Sequence, residues 1–472
     1  MKVVVIMKRN NRSMLEGPLL PSIISYTIPI ILTSVLQLLF NAADLVVVGR
    51  FCGSVSVAAV GATGSITNLI VNLFIGLSVG AGVTVAHALG AKEEKAVHQA
   101  VHTMLATSLV SGAVLTLVGV VFAEDFLIMM GTHEDVLPLS TIYMQIYFGG
   151  ITFNMVYNFC SSVLRAAGDT KSPMIFLSLA GVVNVVLNVI FVTILHMNVA
   201  GVALATTISQ GISAVLVVIV LMRRTDSCRL QLRKVRFYKP QLLKMIRIGL
   251  PAGIQGSLFS ISNVLIQSSV NSFGKIAMSG HAAAANIEGF VYAGMNAFHQ
   301  TAVNFVGQNI GAHQYKRAKQ TLFTCLGCVA VVGLFLSMTA LVFAKPLLSI
   351  YITDSQEAIS YGVLRMSIVC ATYVLCGMMD TSTGALRGMG ASTVPMLISI
   401  IGVCGFRLGW LFTVFQIPQF HTLACLYFSY PVSWVATFIA QFIAFKKVYR
   451  KRKEADSQYV LRALDANGQQ AQ

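Results

Sequence analysis

Twelve long apolar segments, separated by short polar stretches, set the limits on what this chain can fold into. A helix that crosses a bilayer needs about 20 predominantly apolar residues, and each segment has about that length. Inside hydrocarbon a segment must satisfy its own backbone hydrogen bonds, which favours helices. The sequence therefore predicts an all-α membrane protein with twelve transmembrane helices, at residues 22–46, 57–83, 98–122, 136–160, 172–195, 199–221, 248–271, 279–303, 322–343, 361–384, 394–417 and 423–445.

The charge content agrees with this prediction and excludes a water-soluble protein. Only 11% of the 472 residues are charged and 56% are hydrophobic, whereas soluble domains carry about 25% charged residues. The net charge of +16 raises the question of nucleic-acid binding, which needs a basic patch on an exposed domain. Here the Lys and Arg residues lie mainly between apolar segments, so we expect them to set the membrane topology and expect no nucleic-acid partner.

Three basic stretches predict the orientation of the chain. Lys and Arg are concentrated before the first segment, between the sixth and seventh, and after the twelfth, and such stretches stay in the cytoplasm. We therefore expect a multi-pass protein of the inner or plasma membrane with both termini cytoplasmic. The predicted parts are an N-terminal stretch at 1–21, a six-helix bundle at 22–222, a basic linker at 223–247, a second six-helix bundle at 248–445, and a basic, then polar, tail at 446–472.

The two halves of the chain carry the same motif, which indicates a duplication. RxxGxxxxPM begins at Arg165 and again at Arg387, 222 residues later, and Pro29 and Pro251 have the same separation. Arg suits the last turn of a helix, Gly its end and Pro the start of the next helix, so we interpret the motif as a turn. Six helices in each half predict parallel repeats, related by a pseudo-two-fold axis along the membrane normal, with a cavity between them.

Motifs of enzymes and of nucleotide-driven pumps are missing. No GxxxxGK[ST] motif occurs, so we expect no nucleotide partner. The GxSxG match at Gly76 lies inside an apolar segment, and the spacing of Gly76 and Gly80 favours helix packing instead. His98 and His102 lack a third metal ligand, and we interpret them as a pair at the cytoplasmic surface. We expect neither an enzyme nor a bound cofactor.

Five ionisable residues inside the predicted helices are candidates for function: Asp44, Glu288, Arg365, Asp380 and Arg407. A charge at the bilayer centre costs at least about 2.5 kcal/mol on insertion scales, so such residues usually face the protein interior. We expect Arg365, near the outer end of its helix, to extend to the membrane surface. We expect Asp380 or Glu288 to neutralise Arg407, either as a structural ion pair or as part of substrate or ion binding.

Polar residues on two helix faces draw attention to Asp44. Gln37, Asn41 and Asp44 share one face of the first helix, and Asn184 and Asn188 share one face of the fifth. Buried amides need partners, so we expect the two faces to meet. Their oxygens suit a hard cation such as Na⁺, and a lone buried carboxylate can instead carry a proton. Hydrogen bonds that only stabilise the bundle are the remaining alternative.

Taken together, these features resemble the multidrug and toxic compound extrusion (MATE) family, over about residues 16–450. The resemblance is carried by the stretch NAADLVVVGRFCGSVSVAAVG, by the Leu-Arg pairs that begin at Leu164 and Leu386, and by VAGVALATTIS in the sixth segment. It implies two six-helix bundles in a V shape that open alternately to either side of the membrane. It further implies an antiporter that exports cationic or amphipathic compounds in exchange for Na⁺ or H⁺.

The resemblance also implies a cation site in the N-terminal half, with Asp44 as its carboxylate. The other residues that it places at or around this site are Gln37, Asn184 and Thr206, with Tyr143 and Asn158 in the surrounding polar network. Many members have a second Asp followed by Pro where this sequence has Asn188 and Val189. The site then holds at most one negative charge, so we expect one monovalent ion per cycle, Na⁺ or H⁺.

Two other functions stay open at this point. A lipid-linked oligosaccharide flippase would need several cations along the central cavity. An intramembrane hydrolase would need a Ser/His or paired-Asp arrangement, which we do not find. The acid that some MATE members carry in the seventh helix is missing, which argues against a cation site in the C-terminal half. The buried charges predicted there are Glu288, Asp380 and Arg407.

Overall fold

The computed structural model of the protein describes residues 14–353 and 355–469. Within these residues the first half contains α1 (Leu19–Phe51), α2 (Ser54–Gly90), α3 (Glu94–Val121), α4 (Ala123–Met129), α5 (Leu137–Gly149), α6 (Ile151–Ala166), α7 (Lys171–Val189) and α8 (Asn198–Arg223). The second half contains α9 (Lys239–Asn271), α10 (Lys275–Gly311), α11 (Tyr315–Val342), α12 (Ala344–Tyr351), α13 (Gln356–Arg365), α14 (Tyr373–Gly388), α15 (Thr393–Ser399), α16 (Phe406–Phe412) and α17 (Leu423–Gln469). Single π-helical turns extend α7 and follow α13 and α15, at Ile190–Ile194, Met366–Cys370 and Ile400–Gly405.

These helices form twelve membrane spans in two bundles. In the described part of the chain, eight helical segments are long and apolar enough to cross a membrane, and α13 with α14 forms a ninth that is bent by 45°. The other three spans are α9, α10 and the pair α5–α6, whose apolar character is diluted by polar side chains that face the protein interior. The fold is therefore an all-α membrane protein with two six-helix bundles, as the sequence predicts.

The repeated motif has the same backbone conformation in both halves. Gly168 after α6 and Gly390 after α14 have positive φ angles of 89° and 74°, which glycine adopts at little energetic cost. Arg165 and Arg387 lie in the last turns of these two helices. The motif is therefore a helix-ending turn, and the fourth span of each half is interrupted as well, between α5 and α6 and between α13 and α14.

The two halves meet along α2 and α9. Gly76 and Gly80 of α2 lie against Gly249 and Gly253 of α9 so closely that a Cβ atom on any of the four would overlap with the backbone of the opposite helix. Small residues at this spacing allow two helix backbones to approach each other in a membrane. The GxSxG match at Gly76 is thus part of a helix contact, as the sequence predicts.

Helix α1 contacts both halves. Near its start, Tyr26 packs edge-on against Phe305 of α10, with ring centroids 5.2 Å apart, in the hydrophobic core of the second half. Further along, Val48 packs with Val192 and Val202 in the first half. The second part of α1 therefore lies against α7 and α8 and positions Asp44 there.

The linker between the halves folds back on α3. His102 is fully buried and accepts a hydrogen bond from the backbone N–H of Gln231 at 3.0 Å. The interpretation of His98 and His102 as a surface pair is therefore wrong for His102, because the linker covers it. At the other end of the chain, α17 continues through the predicted tail, where Asp456 pairs with His313 at 2.6 Å.

Candidate functional site

The polar residues around Asp44 are brought together by α1, α7 and α8. Phe40 of α1 packs on Gly181 of α7, where a Cβ atom would overlap with the ring of Phe40. Asp44 lies one turn after Phe40, and Asn184 and Asn188 follow Gly181 by about one and two turns on the same side of α7. The two rows therefore run side by side and place the Asp44 carboxylate opposite the amides.

The side chains form a closed ring of hydrogen bonds. Asn188 Nδ2 donates to Asp44 Oδ1 at 2.5 Å and to Asn184 Oδ1 at 3.3 Å. Asn184 Nδ2 donates to Thr206 Oγ1 at 3.3 Å, and the single proton of Thr206 Oγ1 is shared between Asp44 Oδ2 at 3.4 Å and the backbone oxygen of Val202 at 3.0 Å. Asp44, Asn184, Asn188 and Thr206 are named the Asp44 ring below.

The Asp44 ring offers oxygen ligands without a cation to balance its charge. Among the described residues, no Arg, Lys or His forms an ion pair with Asp44. Asn188 is fully buried, and its Oδ1 atom accepts no hydrogen bond from the residues that the structure describes; an unsatisfied buried oxygen disfavours the fold by about 1–3 kcal/mol. Carboxylate, amide and hydroxyl oxygens are the ligands of hard cations such as Na⁺. The arrangement can accept either such an ion or a proton on the carboxylate.

The other residues predicted for this region lie around the Asp44 ring. Gln37 lines a polar cavity of about 150 Å³ together with Asn158, about two turns of α1 before Asp44. Asn158 donates to the backbone and side chain of Asn154, both at 2.9 Å. Tyr143 packs against the valine cluster next to Asp44.

Asn41 does not take part in the contact that we expected for it. The residue is exposed, and its side chain makes no hydrogen bond within the described part of the chain. The reason is the rotation of α1, which turns Phe40 rather than Asn41 toward α7. The expectation that the whole polar face of α1 meets α7 is therefore wrong, and only Asp44 makes the contact.

A further cavity of about 350 Å³ lies between the two halves. Arg165 and Arg387 line it, and no carboxylate is found among its described lining residues. Arg165 donates to Gln300 of the opposite half, and Arg387 donates to Gln255 at 2.9 Å. Its other polar lining residues are Asn72, Ser78, Asn158, Ser162, Asn296, His299, Gln300 and Asn304.

The sequence analysis did not predict that Arg165 and Arg387 line a cavity, because it interpreted them only as parts of a turn. A signal was present in α10, where Asn296, Gln300 and Asn304 recur every four residues and so share one helix face. Such a polar stripe in a membrane helix faces the protein interior or a water-filled cavity.

Polar contacts close one end of the space between the halves, the end at which α2, α6, α10 and α14 finish. Tyr26 donates to the backbone oxygen of Arg165 at 2.8 Å, and Gln308 donates to that of Ala166 at 2.6 Å. His87 Nε2 lies 2.7 Å from the backbone oxygen of Gly388. We name this the closed end.

In the second half, Glu288 pairs with Arg365 instead of Arg407. The guanidinium of Arg365 donates to both carboxylate oxygens, at 3.1 and 2.7 Å, and both side chains are buried. The expectation that Arg365 extends to the membrane surface is wrong, because α13 turns it toward the acid on α10. His281 lies 3.1 Å from the same guanidinium.

Asp380 does not neutralise Arg407 either, so the predicted ion pair is wrong. Asp380 accepts a hydrogen bond from Tyr292 at 2.9 Å. Arg407 donates through Nε to Ser433 at 3.2 Å, and its guanidinium carbon lies 4.0 Å from the centre of the Tyr430 ring. Glu288, Asp380 and Arg407 line one cavity, and among the described residues Arg407 forms an ion pair with neither acid.

Comparison with known proteins gives a consistent result. The MatE family model matches residues 29–190 and 251–411, once in each half. The chain is 27% identical over 436 residues to the probable multidrug resistance protein YoeA of Bacillus subtilis, covering 91% of this chain and 94% of that protein. It is also 27% identical over 394 residues to the probable multidrug resistance protein YpnP of the same organism, covering 82% and 86%.

The fold is similar to a solved structure described as the outward-facing conformation of a multidrug resistance MATE family transporter of the MOP superfamily. The TM-score is 0.87 at 20% sequence identity, and the match covers 95% of this chain and 99% of that one. At this level of identity the likeness concerns the fold.

Proposed function

Because the chain belongs to the multidrug and toxic compound extrusion (MatE) family, a family of transporters rather than enzymes, we propose that it is a secondary antiporter. It exports cationic or amphipathic drug-like compounds in exchange for Na⁺ or H⁺ by alternating access. The proposal is supported by two bundles that face each other across a cavity and by the names of the relatives, which refer to multidrug resistance.

The observation that carries the coupling mechanism is the closed ring around an acid without a cationic partner. In our proposal Asp44 binds one Na⁺ or one proton, and the oxygens of Asn184, Asn188 and Thr206 complete the coordination in the case of Na⁺. Binding neutralises the only carboxylate of the ring. The ion can drive a conformational change only if it binds the two states with unequal affinity.

The direction of the cycle follows from the predicted orientation. The basic stretches favour a cytoplasmic location for the closed end, so the conformation described here would be open to the outside. In this state an incoming ion neutralises Asp44 and favours release of the drug. Loss of the ion on the cytoplasmic side restores the state that accepts drug.

The test is ion-driven ethidium efflux from proteoliposomes that contain the Asp44→Asn variant. An Na⁺ gradient and a proton gradient are imposed separately, which also identifies the coupling ion. We expect the variant to lose gradient-driven efflux, because an amide cannot change its charge when an ion binds or leaves.

The matched control is Asp125→Asn, which removes an exposed acid of α4 and should leave efflux unchanged. Both variants are compared with the parent by size-exclusion elution in detergent, to establish that they fold. Ethidium efflux by Asp44→Asn at the parental rate under the driving gradient would contradict the coupling role.

A flippase would give a different result from an antiporter in the same vesicles. Arg165 and Arg387 do line the central cavity, but both donate hydrogen bonds to neighbouring glutamines, which leaves fewer groups for a diphosphate. Translocation of a lipid-linked oligosaccharide without ethidium efflux under either gradient would favour that alternative.

A further inference from the structure

A cavity of about 600 Å³ lies mainly within the second half, next to the central cavity. Asn72 and Gly256 line both cavities. The volume lies within the range of pockets that enclose drug-sized ligands. One part of its wall is aromatic, formed by Phe259, Tyr292, Tyr373, Tyr430 and Trp434. We name it the aromatic cavity.

The two carboxylates of the aromatic cavity are already engaged. Two nitrogens of the Arg365 guanidinium donate hydrogen bonds to the two carboxylate oxygens of Glu288. Asp380 accepts a hydrogen bond from Tyr292 at 2.9 Å. Glu288 thus has its own guanidinium, Asp380 is held by a tyrosine, and neither acid forms an ion pair with Arg407 among the described residues.

Arg407 is a buried cation without an acid. Only 4% of the residue is exposed, and no carboxylate among the described residues forms an ion pair with it. Its Nε atom donates to Ser433, while its other two nitrogens make no hydrogen bond within the described part of the chain. Arg407 also lines the aromatic cavity. A guanidinium at this depth is costly unless an anion or water meets it.

The surroundings of Arg407 orient it for recognition of an anion. Its guanidinium lies 4.0 Å from the centre of the Tyr430 ring and 5.8 Å from that of Trp434. Stacking on the rings and the Ser433 contact restrict the guanidinium plane, so that the two free nitrogens form a fork. Such a fork matches the two oxygens of a carboxylate or phosphate.

We propose that the aromatic cavity binds amphipathic organic anions, which combine a flat aromatic body with a carboxylate or phosphate group. Arg407 binds the anionic group, and the tyrosine and tryptophan rings contact the aromatic body. The role of such anions as exported substrates rests on the proposed function, whereas their binding does not. The proposal extends the substrate range beyond the cationic compounds that the family resemblance implies.

Binding is measured on the purified full-length protein in a zwitterionic detergent, without transport. The chain contains two tryptophans, so a Trp410→Phe background leaves Trp434 in the cavity wall as the only reporter. The probes are anthracenecarboxylate and anthracenylmethylammonium, which share one aromatic body and differ in charge. We expect the carboxylate to quench Trp434 with an affinity about tenfold or more above that of the ammonium.

Substitution of Arg407 identifies the group that binds the anion. Arg407→Gln should weaken carboxylate binding by about tenfold or more, and Arg407→Lys, which keeps the charge but loses the fork, should lie between. The matched control is Lys446→Gln, which removes an exposed cation stacked 4.7 Å from the Phe442 ring outside the cavity. It should bind both probes like the parent.

Three outcomes would overturn the proposal. These are equal affinity for the two probes in the parent background, carboxylate binding by folded Arg407→Gln within about twofold of the parent, or displacement of the probe by phosphatidylglycerol but not by phosphatidylcholine. The last result would assign the cavity to a lipid headgroup. If Arg407→Gln does not fold, the affinities of the parent background for the two probes and the affinity of Arg407→Lys for the carboxylate still test the proposal. Binding without export of the carboxylate would contradict its role as a substrate and leave the site intact.

Discussion

The carboxylate of Asp44 accepts hydrogen bonds from one amide and one hydroxyl, and among the described residues no cation pairs with it, which leaves it free to exchange an ion. The hydroxyl of Thr206 is the weakest member of the ring, with its oxygen 3.4 Å from Asp44 Oδ2. Its contribution should therefore be measurable without loss of the site. A neutral hydrogen bond contributes about 0.5–1.5 kcal/mol.

We therefore predict that Thr206→Val raises the ion concentration for half-maximal efflux by roughly twofold to tenfold and leaves the maximal rate nearly unchanged. Efflux is measured in proteoliposomes over a series of Na⁺ or proton concentrations. Thr193→Val is the control, because Thr193 Oγ1 donates only to a backbone oxygen of its own helix. A shift of the same size in both variants would contradict the role of Thr206.

The contact between Asp44 and Asn188 was predictable, whereas the pairing of the buried arginines was not. Two amides spaced by four residues need a polar partner, and Asp44 lies at a similar depth in its helix. For Arg365 and Arg407 the sequence indicates the depth but not the rotation of each helix. Glu288 precedes Arg365 by 77 residues, and only the packing of α10 against α13 determines which arginine it meets.

At the scale of helices, the contact of α2 with α9 depends on glycines, which have no side chain to keep the two backbones apart. A Cβ atom on Gly253 would overlap with the backbone of Leu73, so any larger residue must separate the two helices. Overpacking of this kind usually costs about 1–3 kcal/mol. By contrast, Gly64 of α2 has open space where a Cβ would lie.

Gly253→Ala should therefore lower the thermal unfolding temperature of the protein in detergent, whereas Gly64→Ala should leave it unchanged or raise it slightly, since alanine favours helices. Unfolding is followed by circular dichroism. Equal unfolding temperatures for the two variants would show that α2 and α9 can part without loss of stability.

The twelve spans could be predicted from the sequence because each is a long, mainly apolar segment, but no purpose could be assigned to the polar side chains of α9 and α10. In the structure their polar side chains, such as Gln255 and Gln300, reach the arginines at the turns of α14 and α6. The pair of Arg165 and Gln300 joins the two halves, and it depends on how the bundles face each other, which a single sequence does not state.

For the molecule as a whole, the closed end is the part that must separate if the cavity is to open there. Thr27 of α1 and Thr301 of α10 meet at this interface, with their hydroxyl oxygens 2.8 Å apart and both residues buried. Opening of this end separates α1 from α10 and breaks the contact. A covalent bond at the same position should therefore hold the protein in one state.

The double variant Thr27→Cys with Thr301→Cys should lose ethidium efflux after treatment with copper phenanthroline and regain it after reduction. The single variants, which retain the nine native cysteines, should be unaffected by the oxidant. Formation of the crosslink is established by mass spectrometry of proteolytic peptides. Full efflux by the crosslinked protein would show that α1 and α10 stay together throughout the cycle.

The glycine contact between α2 and α9 has a mechanical consequence. Because backbone meets backbone at the four glycines, no side chain interlocks with the opposite helix at these positions, and we expect this part of the contact to serve as a pivot on which the two bundles turn. In the proposed cycle, opening of the closed end then has to break chiefly its polar contacts, while the ion binds some distance away, at the Asp44 ring in the second part of α1.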